Sequence, residues 1–229
     1  MEVLLGFGIA MAIGLTGVGG GVITAPALIL FLGMPPVEAV TTSLIFAACI
    51  KLLIAPTYLF RKQVDFRILA LLLAGGLPGV IAGSYFLQRL DVKSHPGLVY
   101  GTLGGIIATM SCIHLYRLTK GLHVTPHPSR ARWLPFIAAP IGIEMGFSSA
   151  GSGALGTLAL MGMTKLTPAQ VVATDVFFGL GLSLVGGGMH WSAGHGVPAV
   201  LWKLLAGGVF GGFLGTYAAT AVPARPLRR

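Results

Sequence analysis

Small and hydroxyl-bearing residues interrupt two long apolar segments of this chain, and they are the residues best suited to hold a ligand there. The first interruption is the run Gly17 to Gly21 inside the segment 3–32, and the second is Ser148 to Gly153 inside 133–163. Such runs break a helix and leave free backbone N–H groups at the positive end of the next helix, which favours an oxyanion. Close helix packing is the alternative interpretation. The predicted substrate-binding residues at the breaks are Gly19, Gly20, Gly21, Ser149, Gly151, Ser152 and Gly153.

Further hydroxyl groups follow each break, early in the next apolar segment. They could donate hydrogen bonds to a bound anion or bond back to carbonyls of their own helix, and the sequence leaves both interpretations open. These additional substrate-binding candidates are Thr41, Thr42, Ser43 and Thr174.

Three ionisable side chains lie inside the apolar segments, where a charge is costly and usually functional. Asp175 is a candidate for a proton-coupling group. Lys51 is a candidate counter-charge for an anion, or one half of an ion pair for which Glu144 is the obvious partner. Alternatively, Lys51 snorkels towards the cytoplasmic end of its segment.

The composition is that of a membrane protein. Of the 229 residues, 55% are hydrophobic and 9% are charged, against about 25% charged in a soluble domain. The 15 Lys and Arg residues outnumber 6 Asp and Glu and lie in short loops, which indicates cytoplasmic loops rather than a nucleic-acid partner. The N-terminus lacks the basic start of a signal peptide. We expect a multi-pass protein of the cell (inner) membrane.

The two halves of the chain match at a constant offset of 132 residues. The clearest matches are two glycine ladders, Gly75, Gly79 and Gly83 in the first half and Gly207, Gly211 and Gly215 in the second. Small-residue ladders predict close helix packing within or between repeats. An offset without gaps indicates internal duplication.

We therefore predict an all-α polytopic membrane protein with two inverted repeats, each a glycine-broken, re-entrant helical hairpin plus two transmembrane helices. If the three basic clusters of the chain are all cytoplasmic, the crossings between the last two must be even in number, so the second broken segment enters and returns. The predicted boundaries are 1–90 for repeat one (hairpin 3–32, helices 38–60 and 66–88), 97–116 for a connector transmembrane helix, 117–132 for a basic cytoplasmic loop, 133–221 for repeat two (hairpin 133–163, helices 168–190 and 197–221) and 222–229 for a basic tail.

The first break belongs to a longer pattern: Gly14-Leu15-Thr16-Gly17-Val18-Gly19-Gly20-Gly21, then Pro26-Ala27-Leu28, Gly33 and Ala39 to Leu44. Together with the loop from Phe60 to Asp65 and a degenerate second copy around Gly151, this pattern resembles the sulfite exporter TauE/SafE family of membrane permeases. The resemblance covers nearly the whole chain and implies a permease for small sulfur-containing anions such as sulfite or organosulfonates. The chain departs from the family in being short and in having Ser152 where the first copy has Gly20.

The expected function is secondary transport of such an anion, bound at the helix breaks near the membrane centre, with alternating access. The expected partners are a small anionic substrate, the lipid bilayer and a possible second copy of the chain in a homodimer. No nucleic acid, cofactor or metal is expected. The alternatives are a channel or permease for another small ion, or a non-transporting membrane subunit. An enzyme is not expected, because no nucleophile–base pair or metal-ligand cluster stands at helical spacing.

Overall fold

The computed structural model describes residues 1–16, 21–89, 128–149, 152–194 and 199–221, together with residues 97, 101, 104, 105 and 109. Across these residues the chain is all-helical, without a β-strand, which confirms the predicted class. The α-helices are α1 (Glu2–Thr16), α2 (Gly21–Leu32), α3 (Pro36–Phe60), α4 (Phe66–Arg89), α5 (Leu134–Ser148), α6 (Thr157–Met163), α7 (Pro168–Ser192) and α8 (Val200–Ala221). The predicted tail 222–229 and most of the predicted connector 97–116 and loop 117–132 lie outside the described residues.

Local sequence sets the ends of several helices. α2 ends at Gly33, which has a φ of +62°, and the N–H groups of Gly33 and Met34 bond back to carbonyls in the last turns of α2. Glycine adopts this left-handed conformation without a steric penalty. α7 begins at a capping box in which Thr167 and Gln170 each accept a hydrogen bond from the other's backbone, with Pro168 in the first turn.

Four of the described helices, α3, α4, α7 and α8, are long and apolar enough to cross a membrane. The apolar segment 3–32 is instead divided between α1 and α2, which have 15 and 12 residues. At 1.5 Å per residue they are about 22 and 18 Å long, short of the roughly 30 Å hydrocarbon core. The segment 133–163 is likewise divided into α5, a π-helical turn over Ser152–Gly156, and α6. The second division falls where its small-residue run predicts a break, whereas residues 17–20 of the first run lie outside the described residues.

The two glycine ladders pack helices of different halves against each other, α4 on α5 and α8 on α1. A Cβ added at any ladder glycine would meet a backbone carbonyl of the facing helix, so the backbones touch directly. The contacts are Gly75 with Pro135, Gly79 with Ala139 and Gly83 with Ile143 in the first ladder, and Gly207 with Val3, Gly211 with Phe7 and Gly215 with Met11 in the second. Both members of each contact advance together along the chain, so α4 runs parallel to α5, and α8 runs parallel to α1.

The 132-residue offset relates these two sets of contacts completely. Adding 132 to the α1 residue of a contact and subtracting 132 from its α8 residue gives the corresponding contact between α5 and α4. The same exchange holds in the core, where the ring of Phe178 covers Gly76 and the ring of Phe46 covers Gly208. Close packing between the predicted repeats is therefore confirmed.

The helices α3 and α7 form the centre of the molecule and run antiparallel. Leu44 and Ile45 of α3 lie against Gly186 and Gly187 near the end of α7. Lys51, further along α3, is within electrostatic range of Asp175 near the start of α7.

The contacts of α4 and α8 with the central pair fix their directions. Leu73, Gly76 and Val80 of α4 contact residues that advance along α7, so these helices are parallel. Gly208 and Gly212 of α8 contact residues that advance along α3, so these two are parallel as well.

Candidate functional site

Polar side chains are buried along the interface between α3 and α7, in the middle of an otherwise apolar bundle. Each is at most 1% exposed, so water does not compensate it. Burying a polar group without a partner is unfavourable, and polar groups inside membrane helices usually mark the path of a solute or ion. These residues are Thr41, Thr42, Ser43 and Lys51 of α3, and Thr174, Asp175 and Ser183 of α7.

Lys51 and Asp175, which carry opposite charges, are both buried and lie within electrostatic range of each other across this interface. Thr157, at the start of α6, donates a hydrogen bond to Oδ2 of Asp175 at 3.3 Å. Oδ1 has no hydrogen-bond partner among the described residues and lies directly against Gly156. The acid that meets Lys51 is thus Asp175, whereas the sequence alone suggested Glu144.

Glu144 lies elsewhere, on α5. Its Oε1 accepts a hydrogen bond of 2.9 Å from Ser148, one turn further along the same helix, and for Oε2 the described residues offer no partner. The side chain lines a cavity of about 380 Å³ that α5 forms with the π-helical turn and α6. The other residues that line this cavity are Ile137, Pro140, Ile141, Leu155, Leu158 and Ala159. Glu144 is therefore a carboxylate facing an apolar cavity, separate from the central charge pair.

The break after α5 reaches the central helices through Ser149. This residue has a left-handed backbone, with φ of 66°, and its N–H bonds to Met145 at the end of α5. Its side chain donates a hydrogen bond to Ser43 of α3 at 3.1 Å, and both residues are almost fully buried. Two residues predicted as substrate-binding, far apart in sequence, are therefore in contact.

Beyond this break the chain forms the π-helical turn over Ser152–Gly156 before α6 begins. Wide turns of this kind are rare and often occur at functional sites. Gly153 is buried, and its carbonyl accepts a hydrogen bond from Thr157 at 2.7 Å. At the first break, Gly21 begins α2, while Gly19 and Gly20 lie outside the described residues, as does Gly151 at the second.

The other hydroxyl candidates differ in what they bind. Thr41 donates to the carbonyl of Val37 in its own helix at 2.7 Å, which is the back-bonding alternative. Thr174 accepts a hydrogen bond from the backbone N–H of Asp65 at 3.2 Å and so anchors the loop between α3 and α4. The hydroxyl of Thr42 is buried and makes no hydrogen bond within the described part of the chain.

Sequence reasoning missed two buried polar residues of α7. Ser183 is fully buried, and no described residue hydrogen-bonds to its hydroxyl. The 132-residue offset could have identified it, because it is the counterpart of Lys51. His190 is also fully buried, with its Nε2 3.1 Å from the carbonyl of Gly146 on α5. No pattern in the sequence distinguishes this histidine from one at the membrane surface.

Charged and hydroxyl side chains buried between long apolar helices occur where a solute crosses the bilayer, so the fold and the site define a multi-pass membrane transporter. It is a transporter and not an enzyme, and it belongs to a known family. The chain is a member of the sulfite exporter TauE/SafE family, whose model matches residues 3–229.

Three relatives of the chain are named as probable membrane transporter proteins. The chain is 25% identical to "Probable membrane transporter protein YjnA" of Bacillus subtilis (strain 168), in an alignment that covers 99% of this chain and 92% of the relative. It is 27% identical to "Probable membrane transporter protein YunE" of the same organism, over 88% of this chain and 81% of the relative. A "Probable membrane transporter protein" of Xylella fastidiosa (strain 9a5c) is 28% identical over 46% of this chain and 40% of its own length. No solved structure matches the chain significantly.

Proposed function

We propose that this chain is a secondary transporter of small sulfur-containing anions, such as sulfite or organosulfonates. The observation that carries the proposal is the hydrogen bond from Ser149 to Ser43, because it joins the helix break after α5 to the central pair of helices. About two turns further along α3, Lys51 supplies a buried basic side chain. The name of the family supports a sulfur oxyanion as the substrate.

The proposed anion site combines backbone N–H groups with hydroxyls. We assign the N–H groups to Gly19–Gly21 and Gly151–Gly153, of which Gly21 begins α2 and Gly153 lies in the π-helical turn. The proposed hydroxyls are those of Thr41, Thr42, Ser43, Ser149 and Thr174. Thr41 and Ser149 donate their protons to Val37 and Ser43, so an anion would have to replace these bonds, whereas Thr174 only accepts one. Lys51 is the counter-charge.

The proposed architecture is a pair of inverted repeats with re-entrant hairpins. Equivalent helices of inverted repeats run in opposite directions, as α3 and α7 do. Because α1 is parallel to α8 and α8 is parallel to α3, α1 and α3 start on the same side. The chain between them must then return to that side, which supports a hairpin. The same reasoning through α4 applies to α5 and α7.

The basic loops give this arrangement an orientation. Arg61, Lys62 and Arg67 are exposed around the loop that follows α3, so we place that loop in the cytoplasm. Then α1, α3 and α8 run inward, and α4, α5 and α7 run outward. Alternating access would follow from rocking one repeat against the other around the antiparallel pair α3 and α7.

Uptake by the reconstituted protein tests the proposal. In proteoliposomes we expect saturable uptake of radiolabelled sulfite or methanesulfonate that the unlabelled anion inhibits. Ser43→Ala removes one hydrogen bond to a charged ligand, so the half-saturating concentration should rise about tenfold or more. Ser192→Ala is the matched control, because that exposed hydroxyl bonds only the nearby carbonyl of Met189.

Other outcomes would favour the alternatives. Conductive flux that does not saturate would indicate a channel for a small ion. Folded protein that binds but does not move an anion would indicate a non-transporting subunit. Absence of both binding and flux for small anions would contradict the proposal.

A further inference from the structure

We propose that the pair formed by Lys51 and Asp175 couples each monovalent anion to one proton, so that transport is electroneutral symport. This inference rests on the function proposed above and adds the coupling ion, its stoichiometry and its site. The carboxylate of Asp175 receives the proton, and the ammonium of Lys51 then receives the anion.

The position of the pair is suited to coupling. Lys51 belongs to the first half of the chain and Asp175 to the second, and both are 1% exposed at the interface where the halves meet. Thr157 holds Oδ2 of Asp175, while Oδ1 makes no hydrogen bond to any described residue and adjoins Gly156 in the π-helical turn. Oδ2 thus faces the hydroxyl of Thr157, which it shares with the carbonyl of Gly153, and Oδ1 is available to a proton beside the second break.

Charge balance explains why the two ions should move together. The empty site holds one cation and one carboxylate and is neutral. Binding an anion alone would leave a net negative charge in the bilayer, and binding a proton alone would leave a net positive one, both of which are costly. Binding both gives a Lys51–anion pair beside a neutral Asp175, which is again neutral. The two neutral forms are the ones that can change access.

The transport step is balanced. On the loading side, a proton from water bonds to Oδ1 of Asp175, the ion pair opens, and the anion pairs with Lys51. On the release side, the anion leaves, the proton returns to water, and Lys51 pairs with the carboxylate again. Each cycle carries one anion and one proton, so no net charge crosses.

The other titratable groups on elements packed against α7 are placed differently. Asp65 accepts hydrogen bonds from the N–H groups of Arg67 and Ile68 and so caps α4. Glu144 bonds Ser148 on α5, and His190 contacts Gly146 near the opposite end of α7. The remaining ones among the described residues are Glu38, Cys49 and Tyr58 on α3, and Arg67, Tyr85 and Arg89 on α4.

The stoichiometry follows from an asymmetry between the halves. At the 132-residue offset, the counterparts of Lys51 and Asp175 are Ser183 and Ser43. The equivalent place in the opposite half of the α3–α7 interface therefore has two hydroxyls instead of two charges. Among the described residues, the α3–α7 interface has one pair of opposite charges, which predicts one proton per anion.

Uptake of methanesulfonate, which is monovalent, tests the coupling. Proteoliposomes would hold a pH-sensitive dye, and potassium with valinomycin would set the membrane potential. We expect the interior to acidify by one proton per anion taken up, at a rate that the potential does not change. Uptake without proton movement, or uptake that depends on the potential, would overturn the coupling alone. If neither methanesulfonate nor sulfite moves under any gradient, the proposed function fails and the coupling with it.

Variants of the pair sharpen the test. In Asp175→Asn the empty site carries one positive charge and should not change access, whereas the loaded site is neutral. Proton movement and net uptake should therefore stop, while exchange of labelled for unlabelled anion across the membrane should continue. The double variant Lys51→Met, Asp175→Asn keeps the site neutral and should fold but lose uptake. If Asp175→Asn still moved protons with the anion, the assignment would be wrong.

A second charge pair supplies the matched control. Lys203 and Glu2 lie 2.8 Å apart at the surface, with Lys203 60% exposed. The double variant Lys203→Met, Glu2→Gln removes the same kinds of charge outside the α3–α7 interface. It should leave the proton-to-anion ratio at that of the wild type, and a changed ratio would contradict the assignment to Lys51 and Asp175.

Discussion

Asp175 is held by two kinds of contact that have different consequences for function. Thr157 contacts its Oδ2 and Lys51 lies within electrostatic range, although the side chain is only 1% exposed. Gly156 allows the backbone of the π-helical turn to approach Oδ1 more closely than any larger residue would. The position of the carboxylate therefore depends on a glycine, and the glycine lies in the break of the second half.

Replacing this glycine predicts a loss of transport. In Gly156→Ala the added Cβ would collide with Oδ1 of Asp175, so the carboxylate must move away from its place beside Lys51. A misplacement of about 1 Å in a functional group can reduce a rate by about 100-fold, and we expect at least a tenfold drop in uptake. Gly188→Ala is the control, because that position on α7 has open space around its Cβ. Equal uptake by the two variants would mean that the contact has no functional role.

The long helices could be predicted from the sequence because their signals are local. Apolar runs bounded by Pro, Gly and basic loops predicted helices at 38–60 and 168–190, and the structure has Pro36–Phe60 and Pro168–Ser192. The end of α5 at Ser148 could be predicted for the same reason. The partner of Lys51 could not, because the choice among the acids depends on the direction and crossing of α3 and α7. Ser183 was overlooked because a lone serine in an apolar helix is unremarkable until the packing places it opposite α3.

At the level of the helices, the two glycine ladders should contribute equally to stability. Gly79→Ala would push a Cβ into the carbonyl of Ala139 on α5, and Gly211→Ala would do the same to Phe7 on α1. Overpacking of this kind costs about 1–3 kcal/mol, so both variants should unfold at lower temperature in detergent, by similar amounts. Gly188→Ala again serves as the control. If only one of the two variants were destabilised, the two interfaces would not be equivalent.

The whole molecule combines a repeated scaffold with a site that is not repeated. The contacts of the ladder glycines with their facing helices recur at the 132-residue offset. In contrast, Lys51 and Asp175 lie in one half of the α3–α7 interface, and Ser183 and Ser43 stand at the corresponding positions in the other half. A scaffold with this symmetry would support two similar end states, and the unequal polar residues would make the two directions of transport chemically different. The possible homodimer stays a prediction, because the exposed apolar side chains of the bundle are equally suited to lipid.

The sidedness of the loops distinguishes the proposed hairpins from single crossings. In a variant without Cys49 and Cys112, a single cysteine would replace one of four exposed residues: Glu38, Arg61, Lys165 or Ala193. Each variant would be labelled in intact cells with a thiol reagent that does not cross the membrane. We expect labelling at Glu38 and Ala193 but not at Arg61 and Lys165. Arg61 and Ala193 are counterparts at the 132-residue offset, so inverted repeats require that they face opposite sides. Labelling after permeabilisation would show that each cysteine can react. If the segment 133–163 crossed the membrane only once, the cysteine at Lys165 would be labelled and the one at Ala193 would be protected. That result would contradict the predicted even number of crossings between the last two basic clusters. It would also contradict the two opposed hairpins on which the proposed anion site depends.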